Sequence, residues 1–154
     1  MSSPGRRRSN GKWGGGEFNA LPWQFTRSQV LSRMSPYACK LLCDLLAQYR
    51  GFNNGDLSIV WKIMHERGWR SKATLEKATQ ELLDVELIIR TRQGHRRQCH
   101  LYALSLYDID ECRGKHDTKP TSSPPRSWLK HEPVRPIADL QAVLKTKQRK
   151  ALAA

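Results

Sequence analysis

The chain has 154 residues, with 27 lysines and arginines against 14 aspartates and glutamates, a formal charge of +13 and a 38% hydrophobic share. That length suits one domain of ordinary size, and the low apolar share leaves part of the chain outside a core. No stretch approaches the roughly 20 apolar residues of a spanning helix, so the polyanion this charge attracts is read as nucleic acid, not a membrane.

Residues 1–16, MSSPGRRRSNGKWGGG, carry three arginines and a lysine and no acid. No apolar run follows the basic residues, so the stretch reads as a flexible basic arm and not as a secretory leader. The expected location is the cytoplasm, where the four cysteines are thiols rather than disulfides.

The middle of the chain is periodic. In MSPYACKLLCDLLAQYRG, Ser35 is a candidate N-cap with Pro36 at the first helical position. Ala38, Leu41, Leu42, Leu45, Leu46 and Tyr49 recur at three- and four-residue steps, and Gly51 supplies the stop. Asn54-Gly55 signals a turn, DLSI is a short strand candidate, and Val60–Arg67 predicts about two helical turns ended by Gly68. Ile63, Trp61 and Trp69 are assigned to the core. Ser71 caps the next predicted helix, over 71–84, which places Leu75, Ala78, Thr79, Leu82 and Leu83 on one stripe and Lys72, Ala73, Glu76, Lys77 and Gln80 opposite. Leu87–Arg92 and Gln98–Leu106 then read as two strands joined by the loop Gln93–Arg97. That junction, RTRQGHRRQ, packs four arginines and a histidine around Gly94.

The expected fold class is therefore mainly α with a small β-hairpin (α+β). Two helices joined by a glycine-containing turn describe a helix-turn-helix, and a following hairpin makes it winged. GWRSKATLEKATQELLDVELIIRTRQGHRRQCHLYAL, taken with NNGDLSIVWKIMHER, resembles the winged helix-turn-helix DNA-binding domains of bacterial regulators and of plasmid or phage replication proteins. Ser71, Ala73, Thr74, Leu75, Ala78 and Leu82 match a pattern frequent in such domains. Where a glycine often precedes the first wing strand, this chain has Glu86. The resemblance covers roughly residues 16–106 and implies a domain at about 17–112.

It also implies double-stranded DNA as partner and a bacterial cytoplasmic location, nucleoid-associated when bound. The third helix would enter the major groove, with Arg70, Ser71, Lys72 and Thr74 at its amino end and Lys77 and Gln80 along its face. The wing, carrying Arg90, Arg92, His95, Arg96 and Arg97, would lie on the flanking backbone or minor groove. Glu76 is a candidate acceptor for cytosine N4, although carboxylates at 76 and 81 oppose phosphates. The expected role is a bacterial, phage or mobile-element transcriptional regulator. The alternatives are a replication-initiation or plasmid-maintenance factor and, from another class, a winged-helix protein-interaction module.

Residues 113–154 read as a proline-rich basic tail, with helical spacing over 137–152 that suits a short helix; a homodimer contact would fall to that segment or to the first helix. Trp128, after PPRS, either docks back on the domain or recruits a protein partner. Cys39 and Cys43 are expected to pack as small apolar residues. Cys99, His100, Cys112 and His116 lack a C-x-x-C pair, so no metal or other cofactor is expected. The acidic cluster Asp108, Asp110 and Glu111 reads as a loop at the domain end. Without a phosphate loop, a G-x-S-x-G or an H-E-x-x-H, an enzyme is not expected.

Overall fold

The computed structural model describes residues 18–132; the basic arm at 1–16 and the helical spacing at 137–152 lie outside them. Two short helices come first, α1 (Trp23–Thr26) and α2 (Gln29–Arg33), followed by the long helix α3 (Pro36–Gln48). After a turn come α4 (Trp61–Glu66) and α5 (Lys72–Asp84), then strands β1 (Ile88–Arg92) and β2 (Leu101–Leu104). Two 3-10 turns, η1 (Cys112–Gly114) and η2 (Ser127–His131), end the described chain. It is a mixed, mainly helical fold with one two-stranded antiparallel sheet. No helix among the described residues is long and apolar enough to cross a membrane.

Local chemistry explains the long helices. Ser35 and Ser71 each accept a hydrogen bond from the amide three residues on, Ala38 and Thr74, as N-caps do. Pro36 sits where no backbone donor is needed. Gly68 stops α4 at φ +91°, a conformation that only glycine takes without strain, whereas α3 ends at Tyr49, already extended, two residues before the expected stop at Gly51. Ala38, Leu41, Leu42 and Leu45 on α3 are buried with Leu75, Ala78 and Leu82 on α5, so the two stripes form one core. Glu81, on the flank of α5, binds the amide and hydroxyl of Ser35 at 2.7 and 2.6 Å. It thereby locks the start of α3 and faces the protein.

A buried carboxylate ties α3 to α4. Asp44 pairs with Lys40 and Arg67, and accepts from Trp69 Nε1 at 2.7 Å. Burial pushes its carboxyl up, but the hydrogen bonds from Lys40, Trp69 and Arg67 outweigh that and hold it below the usual range.

Several expectations need correction. Ile63 is 40% exposed and not core, because the short α4 buries only Met64. Trp61 is half-buried at the core's edge, whereas Trp69 is buried. The DLSI strand reduces to one bridge, Leu57 with Tyr102. The second strand is shorter than 98–106: its ladder ends at Leu101 opposite Arg92, and after Leu104 the chain turns, with Tyr107 N donating to Leu104 O. Cys43 is exposed and does not pack. Helices α1 and α2 carry no periodic signal, being only 4 and 5 residues long.

The late chain belongs to this body. Trp128 is 1% exposed and meets Phe25 edge-on, with ring centroids 5.4 Å apart. Glu132 caps α2 through the amides of Gln29 and Val30 at 3.1 and 2.8 Å. Of the two roles considered for Trp128, docking back is the one found.

Candidate nucleic-acid interface

Strands β1 and β2 pair in the register Ile88 with Leu104, Ile89 with Ala103, Arg90 with Tyr102 and Arg92 with Leu101. Thr91 is the extra residue of a bulge, and the bulge turns it inward. Its hydroxyl donates to Gly55 O at 2.7 Å, while its carbonyl accepts from Asp117 N and Thr118 Oγ1. The far end of the hairpin closes through a bridge between His95 and Gln98, whose amides and carbonyls bond reciprocally at 2.9 and 3.0 Å. Arg96 and Arg97 are therefore the two residues of the turn, both exposed.

Gly94 lies at the base of that tip, not in the turn. A Cβ there would sit 2.6 Å from His100 N and 2.7 Å from Gln98 O, so the glycine serves close backbone approach and not a positive φ. Its amide donates to His100 Nδ1 at 2.9 Å.

The five basic hairpin residues differ in what they touch. Arg96 and Arg97 have no ion-pair or hydrogen-bond partner among the described residues, and His95 engages through its backbone. Arg90 lies over the Tyr102 ring and donates to Gln93 Oε1 at 3.2 Å. Arg92 turns back onto the protein, donating to Cys99 O and Lys115 O.

On α5, Arg70, Ser71, Lys72, Glu76, Lys77 and Gln80 are exposed and Thr74 is half-buried, on the side opposite the buried stripe. The Ser71 hydroxyl occupies the Thr74 amide, so that cap is an internal contact. Lys72 Nζ lies 5.6 Å from the centre of the Trp61 ring, and Gln80 donates to Asp84 at 2.7 Å. Arg70 and Lys77 have no such partner among the described residues. The helix runs through Val85–Leu87 directly into β1, which joins the two groups of predicted residues in one short stretch of chain.

That junction carries Glu86 at φ +54°. A left-handed non-glycine residue costs about 1–2 kcal/mol, and the surroundings hold it there. The Glu86 carboxylate accepts from His131 and Lys130, its carbonyl from Ser105 Oγ. The His131 hydrogen bond, then that of Lys130, keeps its carboxyl below the usual range. Sequence marked this position by its missing glycine, but not the tail residues that stabilise it.

Among the described residues no three His, Cys, Asp or Glu side chains gather as a metal site requires. Cys112 is half-buried, its thiol pushed up to about 11 by burial and then by Asp110 and Asp56. His116 is buried against Gly55, with Nε2 2.7 Å from the carbonyl of Asp110. Asp110 in turn accepts from the Asn54 backbone N–H, which ties this acidic loop to the Asn54-Gly55 turn.

No protein-family model, curated protein or solved structure matches this chain.

Proposed function

We propose that the chain is a winged helix-turn-helix protein that binds double-stranded DNA. In this reading α4 and α5, joined through Gly68, are the helix-turn-helix pair, α5 enters the major groove, and the hairpin is the wing on the flanking phosphates. A bacterial, phage or mobile-element transcriptional regulator is the role preferred; a replication-initiation or plasmid-maintenance factor would use the same surface.

The observation that carries the reading is the distribution of charge partners. Asp44, Asp56, Glu86 and Glu132 are occupied by internal contacts. Arg96 and Arg97, held at a turn by two backbone bonds, have none among the described residues. Two adjacent guanidiniums without an internal counter-charge at one turn repel each other and are matched by consecutive phosphates. Glu81, a mark against this surface by sequence, faces Ser35 and does not oppose it.

The rival reading, a protein-docking module, draws support from Trp23, which is 75% exposed on α1. Salt separates the two. Duplex affinity of the intact chain should fall at least roughly tenfold between about 50 and 200 mM salt, because each phosphate contact adds about 0.9 to the slope of log affinity against log salt. The double variant Arg96→Ala, Arg97→Ala should weaken binding to all sequences alike and make that slope shallower by about 1.8. An unchanged slope would remove the wing from the interface, and a flat wild-type response would favour the protein-docking module.

A further inference from the structure

The half-buried guanidinium of Arg92 spans two parts of the chain. Nε and Nη2 donate to Cys99 O at 3.3 and 3.1 Å, across the hairpin, and Nη1 donates to Lys115 O at 3.0 Å, beyond it. The 115–118 segment is anchored in its own right. Lys115 pairs with Asp56, and Asp117 and Thr118 bond the Thr91 carbonyl at 3.0 and 3.3 Å. Thr91 in turn holds Gly55. A two-stranded hairpin is marginal by itself, and this set of bonds ties it to the rest of the chain where the ladder ends and the tip begins.

We propose that Arg92 is a positioning residue, a brace that aims the Arg96–Arg97 turn, and not a phosphate ligand. This rests on the DNA-binding reading for its consequence but not for its geometry. A planar guanidinium reaches both carbonyls at once with N–H groups on three nitrogens held in a fixed fork; a lysine offers its N–H groups from one nitrogen on a flexible stem and loses that fork. Charge conservation therefore does not rescue the site.

The test is Arg92→Lys in the full chain, read in two ways. Amide hydrogen exchange at His95 and Gln98 should accelerate about tenfold as the tip loosens locally, while the α3 amides of Leu42 and Leu45 keep wild-type protection. The salt slope on a mixed-sequence duplex should become shallower by about 1.8, as for Arg96→Ala, Arg97→Ala, and adding Arg92→Lys to that double variant should change nothing further. Wild-type exchange at His95 and Gln98, loss of protection throughout α3, or a loss additive with the double variant would overturn the brace. Faster tip exchange in a chain whose wild type binds no duplex would retain the brace and retire the DNA reading instead.

Discussion

Trp128→Ala is expected to cost the fold about 3–5 kcal/mol, the range for removing a large aromatic side chain from a packed core. The indole is 1% exposed, meets Phe25 edge-on, and is held in place by Arg126 N to Ser105 O and by the cap that Glu132 places on α2. Loss of the ring opens a cavity under α1 and α2 and releases the contacts that Lys130 and His131 make to Glu86. Since domains of this size are stable by about 5–15 kcal/mol, urea unfolding should show a large fall in the midpoint. Trp128→Phe is the control. It retains an aromatic ring and removes an indole N–H that has no hydrogen-bond partner among the described residues, so it should cost well under half as much. A loss below about 1 kcal/mol for Trp128→Ala would mean that residues 126–132 do not support the fold.

Asn54→Ala is expected to cost roughly 3–5 kcal/mol although it removes only a short polar side chain. Asn54 is 0% exposed. Its Nδ2 donates to the carbonyls of Leu104, Tyr107 and Asp108 at 2.8, 3.2 and 2.8 Å, and its Oδ1 accepts from Leu104 N at 2.7 Å. The side chain thus satisfies the end of β2 and the following turn, where no neighbouring strand does. Each buried group left unpaired costs about 1–3 kcal/mol. Asn54→Asp, the same shape without the amide donors, should be at least as damaging, because a carboxylate would face three carbonyl oxygens. Equilibrium unfolding of both variants checks this, and a near-neutral Asn54→Asp would show that shape, not hydrogen bonding, matters there.

These two residues also mark where sequence reading stops. Asn54-Gly55 is legible as a turn because asparagine and glycine are turn formers. That Asn54 then points inward, to bind chain 50 and more residues away, depends on tertiary placement that no local pattern records. Trp128 lies amid prolines and polar residues with no periodic face, so its burial has no local signal either. By contrast α3 and α5 were legible in their caps and stripes, since an amphipathic helix writes its buried face at three- and four-residue spacing. The hairpin was legible in outline. Its inner differentiation, with Arg96 and Arg97 unpartnered among the described residues but Arg92 folded back on Cys99 and Lys115, was not, because four arginines in nine residues look alike until their partners are placed.

The most direct test of the account is a map of backbone amide chemical shifts in the intact chain as a mixed-sequence DNA duplex is added at low salt. The account predicts perturbations concentrated on two stretches together, Ser71–Gln80 along the outer face of α5 and His95–Gln98 at the hairpin tip, with Asn54 and the α3 core unmoved. Perturbations confined to the Trp23–Arg27 surface, or none at all with duplex in excess, would contradict it.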